Sequence, residues 1–461
     1  MNKLNRKIAI LGSGPAGYVA AIRASQLGAS VALIEEKDIG GVCMNRGCIP
    51  TKALLRTSEI ASFIKRSKEF GIDSHMDNIN WNYALDLKSR IVKNNNIGIE
   101  QLLNAKGVTI IRGRGEVLSN HRIIVLTSEE SIEITCEKMI LATGSSPLLP
   151  NIKGIDSKGV ITSDEALNLN VLPKDIIIIG AGVIGLEFAT MFNSLGVKVT
   201  VIELLDRILP DQDSEISAEL LKIMKRQGIS FKLSASVKEI QKANVGLTVS
   251  YEQGEKTFTK SSEKVLIAVG RRLNSSLFQN LPLDIEKKAI VVDEYMETNI
   301  KGIYAAGDVT GGKLLAHLAF AEGKVAAENA LGICTRVNYN AVPSCIYTNP
   351  EVASVGMTED EATQLGILAK VGRFDLKNNS RALTLSERNG FVKVIADENN
   401  TIIGSQILGV NASEMISELT LAITLKAKAS DLADMIHPHP TLSEAVWEAC
   451  SDILKRAIHK L

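Results

Sequence analysis

Two segments of this chain follow one pattern, and this internal repeat restricts the possible folds more than any other feature. The first reads KIAILGSGPAGYVAAIRASQLGASVALIEE and the second reads DIIIIGAGVIGLEFATMFNSLGVKVTVIEL. Each has an apolar run rich in β-branched residues, a G-x-G-x-x-G turn, a helical stretch that stops at Leu-Gly, and an apolar strand that ends in glutamate. The repeat therefore predicts two Rossmann-like βαβ units in an α/β protein.

The two segments correspond residue by residue at a constant offset of 168 positions. The matching residues are Gly12, Gly14, Gly17 and Glu35 in the first segment and Gly180, Gly182, Gly185 and Glu203 in the second. In such motifs the first glycine makes the turn, the second lets a diphosphate approach the backbone, and the third allows close helix packing. The helix N-terminus holds the diphosphate, and the acid accepts hydrogen bonds from a ribose hydroxyl. Each segment is thus predicted to bind a dinucleotide.

Two dinucleotide sites in one chain predict two different dinucleotides. A flavin and a nicotinamide are the natural pair, because hydride passes between them when both rings are bound in contact. Glu203 would repel the 2′-phosphate of NADP, and Arg207 is the only cation close behind it. We therefore predict FAD and NAD as cofactors.

Two cysteines five positions apart, Cys43 and Cys48, follow the first repeat in the segment GGVCMNRGCIPTK. In a regular helix, residues i and i+5 lie roughly 8.6 Å apart, whereas a disulfide needs Cα atoms within about 7 Å. The segment must therefore be distorted, and Gly40, Gly41 and Gly47 supply the backbone freedom. A distorted disulfide is easily reduced and suits redox catalysis. Two unrelated buried cysteines, or half of a metal site, fit the same spacing.

The composition argues against several classes of protein. The chain has 461 residues with 52 basic and 52 acidic side chains, so it has no basic field to attract nucleic acid or an anionic membrane. No apolar run approaches the roughly 18 residues that a membrane-spanning helix needs. A strand-like run begins at Lys7, close to Met1, which predicts no targeting peptide. Six mostly scattered cysteines predict a cytoplasmic protein rather than a secreted disulfide framework.

Several motifs follow one another along the whole chain. They are GSGPAG with Glu35, GGVCMNRGCIPTK, ATGS at residues 142–145, GAGVIGLE, AVGRRLN, TNIKGIYAAGD, IYTNPEVASVG and HPHPTLSEA. In this order they resemble the flavoprotein disulfide reductases, and within that family the dihydrolipoamide dehydrogenases. The resemblance implies oxidation of protein-bound dihydrolipoamide with reduction of NAD⁺, through FAD and a redox-active disulfide. It also implies a homodimer that serves the lipoyl domains of an acyltransferase or the H protein of the glycine cleavage system.

The resemblance implies roles for individual residues around the flavin. Lys52 would lie against the flavin ring, where a cation stabilises negative charge on the reduced form, and Glu187 would pair with it. Asp308, in TNIKGIYAAGD, would bind the ribityl chain. The other cofactor contacts that it implies are Gly144 and Ala316 for FAD and Gly270 for NAD. Without the resemblance, Lys52 fits a solvated helix lysine, Glu187 an exposed helix acid, and Asp308 a strand-end acid or helix cap.

The motif HPHPTLSEA contains candidates for acid–base catalysis. The unperturbed pKa of histidine lies near 6.5, so histidine can accept a thiol proton near neutrality, and a carboxylate on its other ring nitrogen would orient it. The resemblance assigns these roles to His439 and Glu444, with His437 in support, and places them at the disulfide of the other subunit. It assigns attack by the substrate thiolate to Cys43 and electron transfer to FAD to Cys48. A lone histidine, taken by itself, is more often structural.

Other activities stay open at this point. The nearest alternative is an NADPH-linked reductase of another disulfide such as glutathione, against which Glu203 and the Leu-Ser of HPHPTLSEA argue. A mercuric reductase would be expected to end in paired cysteines, whereas this chain ends AIHKL, and a soluble transhydrogenase usually lacks one cysteine of the redox pair. A non-catalytic NAD-binding regulator, or a metal-binding protein that uses both cysteines with His437 and His439, belongs to a different class. We predict no metal site.

These motifs predict an α/β architecture with two Rossmann-like domains, a central domain and a C-terminal α+β dimerisation domain. A charged helical stretch near residues 52–105 should interrupt the first domain. The predicted domains are 1–148 for FAD binding, 149–272 for NAD binding, 273–341 for completing the flavin site, and 342–461 for dimerisation.

Overall fold

The computed structural model describes residues 2–278 and 280–460 of the chain. Its strands, numbered along the chain, are β1 Asn2–Leu11, β2 Val31–Glu35, β3 Thr109–Arg112, β4 Arg114–Ser119, β5 Arg122–Leu126, β6 Ser131–Leu141, β7 Ser145–Pro147, β8 Val160–Ile161, β9 Asp175–Ile179, β10 Lys198–Ile202, β11 Ser230–Lys232, β12 Ala235–Lys242, β13 Leu247–Gln253, β14 Lys256–Ser262, β15 Lys264–Ile267, β16 Arg271–Leu273, β17 Ile285–Glu286, β18 Ala289–Ile290, β19 Ile303–Ala305, β20 Ser344–Ile346, β21 Glu351–Gly356, β22 Lys370–Asp375, β23 Phe391–Ala396 and β24 Ile402–Gly409.

The helices connect these strands and cover the sheets. They are α1 Pro15–Gln26, α2 Gly41–Arg46, α3 Cys48–Arg66, α4 Trp81–Ala105, α5 Ser163–Ala166, α6 Val183–Ser194, α7 Ser214–Arg226, α8 Ala316–Ala330, α9 Glu359–Gln364, α10 Ser380–Thr384, α11 Ala412–Thr424, α12 Ala429–Ala433 and α13 Glu444–Ile453. The helical stretch predicted near residues 52–105 corresponds to α3 and α4.

The first repeat forms the centre of a seven-stranded sheet. Its strand order is β3-β2-β1-β6-β5-β4, and β19 pairs in parallel with the end of β6. The strands β1, β2 and β6 are parallel and end at the same edge, because residues 8–11 pair with residues 31–34 and with residues 138–141. Their apolar side chains are buried in near-continuous runs, as expected for a parallel sheet covered on both faces. Parallel α/β sheets bind ligands at this carboxyl edge.

The second repeat forms a separate sheet in the order β11-β10-β9-β15-β8. Here β9, α6 and β10 reproduce the arrangement of β1, α1 and β2, with parallel pairing of residues 175–179 and 198–202. The antiparallel sheet β12-β13-β14 packs against one face through a shared apolar cluster. The predicted pair of βαβ units is therefore confirmed.

The C-terminal part contains an antiparallel sheet with strand order β20-β21-β24-β23-β22. Helices α11 and α13 pack on it around a core that includes Val392, Val394 and Val446. A buried ion pair joins this sheet to the N-terminus of α7, because Lys393 Nζ lies 3.0 Å from Oδ1 of Asp213, the N-cap of that helix. The predicted fold class is confirmed, and the numerical domain bounds stay a prediction.

Among the described residues, no helix is both long and apolar enough to cross a membrane.

Candidate active site

The first glycine motif forms a tight turn between β1 and α1. Gly12 has a φ of +94°, and a Cβ there would lie 2.3 Å from the carbonyl oxygen of Ala142. A Cβ at Gly17 would lie 1.9 Å from the carbonyl oxygen of Gly12, so neither position accommodates a side chain. At Gly14, by contrast, no atom lies within 4 Å of the Cβ position. Since no side chain caps α1, its first N–H groups can donate to a diphosphate.

The second glycine motif repeats this geometry. Gly180 has a φ of +105°, and its Cβ would lie 2.4 Å from the carbonyl oxygen of Ala268. A Cβ at Gly185 would lie 2.1 Å from the carbonyl oxygen of Gly180, whereas no atom lies within 4 Å of that position at Gly182. The N-terminus of α6 also lacks a side-chain cap. Both turns thus fit the diphosphate of a dinucleotide.

The glutamates that close the two repeats are held beside these turns. Glu35 Oε2 accepts hydrogen bonds from the backbone N–H of Ser13 at 2.9 Å and from its hydroxyl at 2.7 Å. Glu203 Oε2 accepts from the N–H of Ala181 at 2.6 Å, and its Oε1 accepts from the N–H of Leu205 at 2.9 Å. Each carboxylate is therefore oriented close to a helix N-terminus, which suits recognition of a ribose.

The two cysteines lie on either side of a break in the helix that contains them. Cys43 is in α2 and Cys48 begins α3, and between them Gly47 has the non-helical angles φ −141° and ψ −110°. Gly40 and Gly41 have positive φ values of 88° and 61°. The predicted distortion is confirmed. The break leaves the two thiols close enough for each to shift the pKa of the other.

The loop that carries the cysteines packs directly on the first glycine motif. A Cβ at Gly41 would lie 2.6 Å from the Cα of Gly14, and the N–H of Gly40 donates to the carbonyl oxygen of Ser13 at 3.1 Å. The thiols are thus attached to the βαβ unit predicted to bind FAD, which brings them close to the proposed flavin site.

Lys52 and Glu187 form the contact that the family resemblance implied. Lys52 Nζ lies 2.9 Å from both carboxylate oxygens of Glu187, which is only 4% exposed. The N–H of Tyr347 donates to the same carboxylate at 3.0 Å, and its ring centroid lies 4.5 Å from Lys52 Nζ. The sequence analysis did not assign a role to Tyr347, although its IYT motif was recognised. The alternative of an exposed helix acid at Glu187 is wrong.

The surroundings of the two cysteines favour the thiolate of Cys48 over that of Cys43. The pKa of Cys48 is lowered to about 7, chiefly by the hydrogen bond to Cys43 and further by the positive charge of Lys52, although burial and Glu187 oppose the shift. The same hydrogen bond, together with burial, raises the pKa of Cys43. Cys48 therefore loses its proton first, because its thiolate is the better stabilised of the two.

His439 and Glu444 form a hydrogen-bonded pair. His439 Nδ1 lies 2.8 Å from Glu444 Oε1, while the N–H of Thr441 donates to Glu444 Oε2 at 2.8 Å. Partial burial alone would raise the pKa of Glu444, but the Thr441 N–H and the His439 ring hold it below its usual value. The His439 side chain is 70% exposed. It is therefore oriented by a carboxylate and accessible from outside its own subunit.

His437 is held differently from its neighbour in the motif. Its side chain is 3% exposed, and Nε2 lies 2.9 Å from Glu418 Oε1. This hydrogen bond raises the pKa of His437 against the opposing effect of burial. Sequence reasoning missed Glu418, since nothing in the motif points to α11. Among residues 2–278 and 280–460 of one chain, no hydrogen bond or ion pair joins either histidine to a cysteine.

Asp308 follows β19 at the carboxyl edge of the first sheet. Its carboxylate accepts a hydrogen bond from the hydroxyl of Ser145, and its Oδ2 lies 3.9 Å from Arg271 Nε. Arg271 Nε also donates to the Ser145 hydroxyl at 2.6 Å. Sequence reasoning recognised the two motifs that contain Ser145 and Arg271 but not their convergence on Asp308, which depends on the pairing of β7 with β16.

The three other predicted cofactor contacts lie at backbone positions suited to close approach. Gly144 and Gly270 have φ values of +65° and +118°, and no atom lies within 4 Å of the Cβ position at either. Ala316 begins α8, whose N-terminus has no side-chain cap. Glycines with free space at the Cβ position, and a helix N-terminus without a side-chain cap, fit a cofactor that binds through backbone groups. The described residues include no cluster of three or more His, Cys, Asp or Glu side chains that could hold a metal ion.

Family models match most of the chain. The model described as pyridine nucleotide-disulphide oxidoreductase matches residues 6–323, and that of the dimerisation domain of the same family matches residues 342–450. Among curated proteins, the chain is 40% identical to the dihydrolipoyl dehydrogenase of Bacillus subtilis, covering 98% of each chain. It is 38% identical to that of Geobacillus stearothermophilus, with 98% of this chain and 96% of the relative covered.

Solved structures show the same overall arrangement. LpdA from Mycobacterium tuberculosis superimposes with a TM-score of 0.90 at 27% identity, covering 98% of this chain and 99% of the other. The HOCl-induced flavoprotein disulfide reductase RclA from Escherichia coli, solved as a Cu(II) complex, gives a TM-score of 0.86 at 30% identity with the same coverage.

Proposed function

Because the chain belongs to the pyridine nucleotide-disulphide oxidoreductases, which use FAD and NAD, we propose that it is a dihydrolipoyl dehydrogenase. It would oxidise protein-bound dihydrolipoamide to lipoamide and reduce NAD⁺. The observation that carries this proposal is the Cys43–Cys48 pair, which lies beside the first glycine motif and near the Lys52–Glu187 ion pair. Two relatives that match over nearly their full length carry this name.

The residues at the site suit thiol–disulfide exchange. His439 accepts a proton from one substrate thiol, and Glu444 holds the ring in the orientation that this requires. The resulting thiolate attacks the Cys43 sulfur of the Cys43–Cys48 disulfide, so that a mixed disulfide forms and Cys48 leaves as a thiolate. The second substrate thiol then loses its proton and attacks the first substrate sulfur. This closes the lipoyl disulfide and releases Cys43.

The chain provides surfaces for both cofactors. FAD, when bound, would supply a two-electron acceptor for the reduced cysteine pair and a hydride donor for NAD⁺. The residues that we propose for FAD are Gly12, Gly14, Gly17, Glu35, Lys52, Gly144, Asp308 and Ala316, and those for NAD are Gly180, Gly182, Gly185, Glu203 and Gly270. Lys52 stabilises negative charge near the thiols, and Glu187 keeps this lysine in position.

The chain forms a homodimer through its dimerisation domain. We infer that each active site is shared, with His439 and Glu444 of one subunit facing the disulfide of the other. The exposure of His439 supports this inference, as does the absence of a bond to either cysteine within the described residues of one chain. Lipoyl domains of an acyltransferase or the H protein of the glycine cleavage system would deliver the substrate, and we propose that the enzyme acts in the cytoplasm.

The activity is tested with the FAD-loaded dimer and two substrate pairs. We expect rapid reduction of NAD⁺ by dihydrolipoamide and little oxidation of NADPH by glutathione disulfide. Faster turnover of glutathione disulfide would replace the proposal with the glutathione-reductase alternative. A protein that stays colourless after incubation with FAD and turns over neither pair would support a non-catalytic NAD-binding protein.

The shared site is tested by mixing two inactive variants, Cys48→Ser and His439→Gln. If the site is shared, a hybrid dimer has one site with both substitutions and one intact site. Random exchange of subunits should then restore about a quarter of the wild-type activity, since about half of the dimers are hybrids. If both residues acted within one subunit, the mixture would stay inactive. Exchange can be verified with differently tagged subunits.

A further inference from the structure

The region around the proposed flavin site contains a buried carboxyl group that the proposed mechanism does not use. Glu322 lies in the middle of α8 and is 4% exposed. Burial raises its pKa to about 7. A buried carboxyl group destabilises the folded protein unless protein donors bind it.

One oxygen of this carboxyl group holds the backbone just before Asp308. Glu322 Oε2 accepts a hydrogen bond from the N–H of Gly307 at 2.7 Å. Gly307 has φ +79° and ψ −162°, a conformation that is essentially restricted to glycine. Gly307 immediately precedes Asp308, the residue proposed to bind the ribityl chain. Glu322 therefore holds the turn that places Asp308.

The other oxygen connects the same carboxyl group to the start of the C-terminal part of the chain. Tyr339 donates its O–H to Glu322 Oε1 at 3.1 Å. Tyr339 begins the 3₁₀ turn Tyr339–Ala341, which leads into β20. Both oxygens of Glu322 are thus occupied by protein donors, each from a different segment.

Helix α8 itself has little freedom to move. A Cβ at Gly323 would lie 2.2 Å from the carbonyl oxygen of Ala16 in α1, and one at Gly307 would lie 3.1 Å from the Cβ of Ala16. The two helices therefore touch at small residues directly beside Glu322. As a result, the carboxyl group presents a fixed acceptor to the turn.

We propose that Glu322 is a positioning residue for the flavin site, which fixes Asp308 against α1 by accepting the hydrogen bond of the Gly307 N–H. Both of its carboxyl oxygens accept from protein donors, so it acts through the turn and not on the flavin itself. This inference rests on the proposed role of Asp308 in binding FAD.

The proposal is tested by measuring the rate of FAD release from the dimer, through the rise in flavin fluorescence. Glu322→Ala should release FAD about ten to a hundred times faster than the wild type, because the Gly307 N–H loses a buried acceptor. Glu322→Gln keeps an acceptor oxygen and resembles the neutral carboxyl group. It should restore slow release and the wild-type flavin absorption spectrum.

Glu328 provides a matched control in the same helix. It is 3% exposed and accepts a hydrogen bond from Arg23 Nε in α1 at 2.8 Å, but it has no bond to the Gly307 turn. Glu328→Ala should lower the thermal stability without changing FAD release. If Glu322→Ala released FAD as slowly as Glu328→Ala, or if Glu322→Gln failed to restore retention, the positioning role would be excluded. The wild-type assay with dihydrolipoamide tests the proposed function separately.

Discussion

The two glycine motifs have the same local geometry but different surroundings. Later parts of the chain pack directly against the first motif. A Cβ at Gly41 would lie 2.6 Å from the Cα of Gly14, and one at Gly323 would lie 2.2 Å from the carbonyl oxygen of Ala16. At the second motif, the N–H of Leu209 donates to the carbonyl oxygen of Ala181, but Val183, the first residue of α6, is 40% exposed, whereas Pro15 at the same place in α1 is partly buried. One motif is therefore enclosed, and the other is more accessible. This difference suits a flavin that stays bound and a nicotinamide that exchanges at every turnover.

The largest effect is expected from removing one thiol while both dinucleotide sites stay intact. Cys48→Ser should lower NAD⁺ reduction by dihydrolipoamide by more than about a thousandfold, because the disulfide cannot form. NADH should still bleach the bound flavin, since both glycine motifs are unchanged. Stopped-flow absorbance measures both reactions. Cys450→Ser, at a buried cysteine outside the proposed site, is the control, and normal lipoamide turnover in Cys48→Ser would contradict the proposed redox role.

Alanine at the equivalent positions Gly14 and Gly182 tests whether the two motifs hold different dinucleotides. At Gly14 and Gly182 an added Cβ meets no protein atom within 4 Å, so alanine should leave the stability of the apoprotein nearly unchanged. Gly14→Ala should yield protein that lacks flavin. Gly182→Ala should keep its flavin but bind NADH at least about tenfold more weakly, which corresponds to about 1.4 kcal/mol.

Flavin content by absorbance and NADH titration by fluorescence quenching measure these effects. Thermal unfolding of the two apoproteins is the control for folding. Equal loss of flavin in both variants would show that the two motifs do not hold different dinucleotides.

A smaller effect is expected on the choice of nicotinamide. Glu203→Ala should reduce the preference for NADH over NADPH by about tenfold in kcat/KM, because it removes a negative charge that would face a 2′-phosphate. Glu35→Ala, the equivalent change in the first motif, should leave this preference unchanged. Steady-state kinetics with both nucleotides measures the ratio. Wild-type turnover of NADPH equal to that of NADH would contradict the assignment of NAD.

The smallest expected effect is a change in the pKa of the Cys48 thiol. Since the pKa of Cys48 is lowered to about 7, the thiolate should predominate above that pH and disappear below it. The rate at which iodoacetamide alkylates the reduced enzyme should therefore rise through a midpoint near this pH. Lys52→Met removes a stabilising positive charge and should move the midpoint upward. An unchanged midpoint would show that Lys52 does not stabilise the thiolate.

Sequence reasoning succeeded where the chemistry is local. The turns at Gly12 and Gly180, and the break at Gly47, follow from spacing and from the backbone freedom of glycine within a few residues. The recognised motifs also contain Lys52 and Glu187. These two residues lie far apart in the chain, and only the resemblance to a known family paired them. Their contact with Tyr347 was not foreseen.

The sequence by itself determined two dinucleotide-binding units, a distorted dithiol loop and a histidine-containing motif, because each depends on short-range geometry. Only the tertiary structure decided that β19 joins the first sheet, that Glu322 holds the turn before Asp308, and that Glu418 binds His437. These contacts link segments separated by many residues. They form only when strand pairing and helix packing bring those segments together. No local pattern in the chain specifies which distant segments will meet.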